Sequence, residues 1–148
     1  MLYQISKGYI VDLVDQAALA MNERDPRQRI RLLGRHLILT IASHQSELTV
    51  CFREVHSLTA ERRTEVMALH ADYERVWRDT MVEGAEAYCF RPFDPIVHKG
   101  ILGMYYYSYL WMHLGGSLSA ESIAERFNHL ALRMLAPDAS LARHEDRS

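Results

Sequence analysis

FRPFDPIVHKGILGMYYYSYLWMHLGGSLSAESIAERF, running from Phe90 to Phe127, is the stretch that settles the fold class. It holds one helix stop, two helix starts and a second stop. Phe90-Arg91-Pro92-Phe93 interrupts whatever helix precedes it. Asp94-Pro95 then restarts the chain, because an aspartate side chain accepts from the free amides of a first turn and proline lacks only an N–H that the first turn does not use. From Ile96 to about Leu114 the chain is apolar over most of a helical circumference, with Gly100 and Gly103 leaving room for close helix approach. A helix that is apolar all round is expected to be covered on several sides. Gly115-Gly116 ends it, since glycine readily takes the left-handed conformation of a helix C-terminus. Ser119 caps the next helix, Glu121 sits near its positive end, and Ile123, Phe127, Leu130 and Met134 share one face.

The same grammar extends toward the N-terminus. Leu2, Ile5, Tyr9, Leu13 and Ala17 recur at helical spacing and predict a first helix from about Leu2 to Asn22. Asp25-Pro26 repeats the cap-then-proline start and opens a second helix to about His44, with Ile30, Leu33, Leu37 and Ile41 on one face. A short third helix covers roughly Ser46 to Ser57. Thr59 caps a long fourth helix to about Tyr88, striped by Val66, Leu69, Tyr73, Trp77 and Met81. No alternating strand pattern and no repeat interrupts this series. The reading is all-α, six helices, one domain over residues 1–136, and a flexible polar tail over 137–148 beyond Pro137.

Composition narrows the function. A chain of 148 residues, 49% apolar, is long enough for one packed core. The net charge of -2 and the interleaving of bases with acids do not describe a free-standing nucleic-acid binder. The densest basic stretch, Arg27 to Arg35, is interrupted by Ile30, Leu32 and Leu33. The longest apolar run, Ile101 to Leu114, is too short to span a bilayer, and the N-terminus is already amphipathic, so neither a membrane partner nor a signal peptide is expected and the reading is cytoplasmic.

Catalysis and metal binding receive little support. Cys51 and Cys89 sit among apolar neighbours and read as buried free thiols of a reducing compartment rather than nucleophiles. His70 and Glu74 have the spacing of two ligands on one helix face, and His36 and His44 lie two turns apart, but no further matched ligands complete a site. Neither catalytic residue, metal nor cofactor is expected, and the chain is read as not an enzyme. The two C-terminal stripes either close a monomeric core or meet a second copy; spacing alone leaves both open.

The order Phe90-Arg91-Pro92-Phe93-Asp94-Pro95, Gly103-Met104 with its aromatic helix, Gly115-Gly116-Ser117-Leu118-Ser119 and Ile123-Ala124-Glu125-Arg126-Phe127 resembles the C-terminal domain of TetR-family transcriptional regulators, most closely the acyl-CoA-sensing branch. The resemblance runs from Leu2 to Leu135, and Met1-Leu2-Tyr3-Gln4-Ile5 resembles the start of the family's fourth helix. It implies a ligand-sensing and dimerisation domain. Its small hydrophobic effector, a fatty-acyl, acyl-CoA or aromatic compound, would lie among the first five helices, lined by Phe52, Tyr73, Trp77, Tyr105 and Tyr109 with His70 as polar contact. The same aromatics at helical spacing also suit plain core. The resemblance implies a homodimer through the last two helices, using Gly103, Tyr107, Leu110, Ile123, Phe127, Leu130 and Met134. The stretch Tyr105 to His113 carries no arginine for a CoA phosphate, a role that Arg75 and Arg78 are the candidates to fill. The family's N-terminal three-helix DNA-binding unit has no counterpart in these residues, so DNA is a partner only through a helix-turn-helix absent from them. The alternative is a stand-alone dimerisation or partner-binding module with no DNA binding of its own.

Overall fold

The structure, a computed structural model, describes residues 2–54, 58–112 and 116–138, and of residues 2, 5, 6 and 50–54 the backbone alone. Six α-helices follow one another: α1 (Leu2–Ala20), α2 (Pro26–Ser43), α3 (Gln45–Glu54), α4 (Ala60–Glu86), α5 (Pro95–Tyr107) and α6 (Ala120–Leu135), with a 3-10 turn at Ser108–Leu110. No strand occurs among the described residues. The expected tail lies outside the described residues from 139 onward, as does Gly115 of the expected glycine stop.

Four helices start where capping chemistry places them. Asp25 Oδ1 accepts from Arg27 N at 3.0 Å, and Asp94 Oδ1 accepts from Ile96 N at 2.8 Å, each followed by its proline. Thr59 Oγ1 accepts from Arg62 N at 3.3 Å, and Ser119 Oγ accepts from Ser122 N at 3.1 Å. Each such cap contributes about 1 kcal/mol. The end of α4 is a reversal. Tyr88 takes a left-handed φ of 59°, and Cys89 N and Phe90 N both donate to Gly84 O. Phe90 folds back over Gly84, where an added Cβ would stand 2.0 Å from its ring. Arg91 N then donates to Leu135 O at 2.8 Å, tying this turn to the end of α6.

Helix α2 is the centre of the bundle and packs against all five other helices; the longest seams are α2 with α6 and α1 with α4. Its residues Ile30, Leu33, Leu37, Ile38 and Ile41 are all buried, which takes more than one face. Gly34 is required by a close approach: a Cβ there would lie 1.9 Å from Asn128 Oδ1 and 2.5 Å from Tyr105 Oη. Those two atoms are themselves hydrogen-bonded, Tyr105 Oη donating to Asn128 Oδ1 at 2.6 Å, while Asn128 Nδ2 donates to Arg31 O at 3.0 Å. A polar knot thus joins α5, α6 and α2 inside the apolar core. A second one fixes the α1–α2 connection. Arg29, 5% exposed, donates from Nε and Nη2 to Glu23 O and pairs with Glu83 of α4.

The fifth helix departs from its expected extent. It ends at Tyr107 rather than near Leu114. Ser108 Oγ donates to Tyr105 O at 2.6 Å, and the half-buried Gln45 amide on α3 donates to the carbonyls of Tyr109 and Met112. The serine hydroxyl and a distant side chain compete for carbonyls that a continuing helix would use. Nor is α5 covered all round. Ile101, Leu102 and Tyr105 are buried, whereas Ile96, Gly100, Gly103 and Tyr107 face outward.

Candidate functional site

The inner stripe of α4 brings Tyr73 and Trp77 into the core one turn apart, at 1% and 0% exposure. Tyr105 of α5 meets the Trp77 ring at 5.2 Å between centroids, tilted by 56°. Tyr105 in turn meets Phe127 of α6 edge-on at 5.5 Å, and Phe127 meets Trp111 at 5.8 Å. The four rings form a continuous row from the interior to Trp111, which is partly exposed. Contacts of this kind contribute about 0.5–1.5 kcal/mol each beyond burial.

Polar groups around this row are mostly paired. His70 Nε2 lies 2.8 Å from Tyr9 Oη, and the two rings meet edge-on. Burial holds the His70 pKa below its ordinary value, so the ring stays neutral at neutral pH. Tyr106 Oη donates to Glu74 Oε1 at 3.3 Å, and His98 Nε2 donates to Glu74 O at 3.0 Å. Burial pushes the phenols of Tyr73, Tyr105 and Tyr106 well above their ordinary range.

Two buried donors on the inner stripe of α4 are different. Tyr73 Oη and Trp77 Nε1 have no hydrogen-bond partner. They stand near enough for the indole N–H to oppose the rise that burial imposes on the Tyr73 pKa, yet they do not meet hydrogen-bond geometry. His36 Nδ1 is also unpaired, at a groove between α1 and α2 lined by Asp12, Gln16, Thr40 and His44.

Of the residues expected around a ligand, Tyr73, Trp77 and Tyr105 therefore come together, and His70 lies on the same side of α4 against Tyr9. Tyr109 is half-buried in the 3-10 turn, its carbonyl held by Gln45. The Phe52 and Cys51 side chains lie outside the described residues. Arg75 pairs with Asp72 at the surface, and the Arg78 guanidinium covers the Phe93 ring, so both are engaged away from the ring row. His36 and His44 share the groove between α1 and α2, but no group of three or more metal-ligating side chains forms among the described residues. Cys89 is a half-buried free thiol.

The residues expected at a dimer face divide. Gly103, Tyr107, Leu110, Leu130 and Met134 are exposed on the neighbouring helices α5 and α6 and the turn between them. Tyr107 is 62% exposed and Leu130 47%. Ile123 instead faces α2 and the chain's own core, at 5% exposure, because the α2–α6 seam takes that side of the helix. Phe127 is half-buried between Tyr105 and Trp111. Ile96 and Trp111 join the exposed apolar set and escaped the sequence reading. Ile96, Gly100, Gly103 and Tyr107 do recur at one helical face, which was the available signal.

No helix among the described residues is long and apolar enough to cross a membrane. A family model described as tetracyclin repressor-like, C-terminal domain, matches residues 23–135. Among solved structures, the TetR-family transcriptional regulator PfmR from Thermus thermophilus superposes with a TM-score of 0.84 at 25% identity, over 89% of this chain and 73% of its own. AibR, solved in complex with isovaleryl coenzyme A and operator DNA, gives a TM-score of 0.76 at 25% identity, over 88% and 72%. The ketosteroid transcriptional regulator KstR2 of Mycobacterium tuberculosis gives 0.85 at 20% identity, over 93% and 72%, a likeness of fold. The search of curated proteins finds no match.

Proposed function

Because this chain belongs to the tetracyclin repressor-like C-terminal domains of the TetR family, we propose that it is the effector-sensing and dimerisation part of a transcriptional regulator, with a small hydrophobic effector held at the Tyr73–Trp77–Tyr105 layer. The observation that carries this reading is the buried aromatic row, which leads from two unspent donors in the core to the exposed face of α5 and α6. An effector that parts the inner rings displaces Tyr105, and with it Phe127 and Trp111. A ligand acting at one end thereby changes the geometry of the apolar face at the other, which is the differential interaction that regulation requires. AibR, a solved relative, is in complex with isovaleryl coenzyme A and operator DNA, which supports this reading. The role is binding rather than catalysis.

The exposed apolar set of α5, the following turn and α6 is the surface for a second copy of the chain. Large apolar side chains gathered on adjacent elements mark an interaction site. Thermal-shift screening against fatty acids, acyl thioesters and aromatic acids tests the effector reading: stabilisation by one class is expected, rising with ligand concentration as RT ln(1 + [L]/Kd). A flat response across all three classes refutes it.

A further inference from the structure

Resting on that reading, we infer that Tyr73 and Trp77 form a two-donor clamp for the neutral carbonyl oxygen of an apolar ester, thioester or ketone. The two side chains are one turn apart on α4 and fully buried, and Tyr73 Oη and Trp77 Nε1 are both unpaired. Nearby phenols are spent: Tyr105 on Asn128, Tyr9 on His70 and Tyr106 on Glu74. Two unsatisfied donors together, beside phenols that are all paired, are a standing cost that an acceptor removes.

The donors also define the acceptor's charge. Indole N–H donates only, and the Tyr73 phenol keeps its proton because burial opposes ionisation. Both groups are neutral, and the Glu74 carboxylate is near enough to oppose a second anion. Arg29, the buried cation among the described residues, is committed to Glu23 O and Glu83. An ionised carboxylate placed here would be buried without a counter-charge, whereas a neutral carbonyl meets two donors at no charge cost. The ring of Tyr105, 5.2 Å from Trp77, supplies an apolar wall for the rest of the ligand.

Calorimetric titration of the full chain with four probes of one chain length tests the clamp: methyl octanoate, the octanoyl thioester of N-acetylcysteamine, octanoate and octane. Trp77 is fully shielded, so every probe must first part the ring layer; that penalty is common to all four and cancels in their ratios. The two carbonyl probes are expected to bind roughly tenfold or more tightly than octane, and more tightly than octanoate. Tyr73→Phe is expected to weaken the carbonyl probes roughly tenfold and leave octane unchanged, with Trp77→Phe acting alike. Preferred binding of octanoate overturns the neutral-carbonyl assignment while leaving effector sensing standing. So does equal binding of octane and the esters with no effect of Tyr73→Phe. Failure of all four probes, octane included, overturns the clamp and the proposed hydrophobic effector together.

Discussion

Replacing Tyr73 by phenylalanine in the ligand-free protein is expected to stabilise it, while the same change at Tyr105 destabilises it. Both phenols are buried in the core, so the two substitutions remove the same atom from similar surroundings. The difference lies in what each oxygen leaves behind. Tyr73 Oη has no partner, so its removal relieves a desolvation penalty of about 1–3 kcal/mol and forfeits only a little packing. Tyr105 Oη donates to Asn128 Oδ1, and its removal strands that acceptor inside the α2–α5–α6 knot at a cost of about 1–3 kcal/mol. For a chain of this size 1 kcal/mol moves Tm by about 2–4 °C. Scanning calorimetry, with wild type and both variants at one protein concentration so that any association contributes equally, reads the sign directly. A loss of stability in Tyr73→Phe comparable to that in Tyr105→Phe refutes the reasoning, because it means that the Tyr73 hydroxyl is already satisfied, for instance by a buried water.

Gly34→Ala is expected to cost about 1–3 kcal/mol in urea unfolding, because its Cβ would meet Asn128 Oδ1 at 1.9 Å and force the polar knot apart; an unchanged midpoint would show that α2 and α6 separate freely. If the proposed dimer forms through α5 and α6, Leu130→Glu, at a 47% exposed position, is expected to leave helicity by circular dichroism intact and to halve the mass by light scattering; a mass equal to that of the wild type places the interface elsewhere. Phe127→Glu is the poorer probe, since Phe127 also supports Tyr105 and Trp111. Burial lowers the folded-state pKa of His70 and His36 below their ordinary 6.5, so the unfolded chain binds more protons as the solution is acidified. Their contribution to stability is complete above about pH 6.5 and is lost as pH falls from there through the folded values. His70→Gln is expected to flatten part of that decline in a Tm-versus-pH series, and an identical slope in the variant counts against it.

How much could be read in advance follows the range of the interactions involved. The starts of α2, α4, α5 and α6 were legible because each is decided within three residues, by Asp25-Pro26, Thr59, Asp94-Pro95 and Ser119 acting on the first free amides. The six-helix, all-α class followed from these starts and from apolar spacing. The end of α5 was not legible, because Gln45, 64 residues from Tyr109, takes part in deciding it. Nor did spacing separate Ile123 from Leu130, which both repeat at helical intervals; the α2–α6 seam buries the first and leaves the second outside. The sequence by itself determined where four of the helices start and that Tyr73 and Trp77 share one stripe of α4, since capping and periodicity are local. Only the tertiary structure decided that Tyr105 finds Asn128 across Gly34 while Tyr73 and Trp77 find nothing, because a hydrogen bond depends on where a second helix places its atom, and no spacing along one helix encodes that.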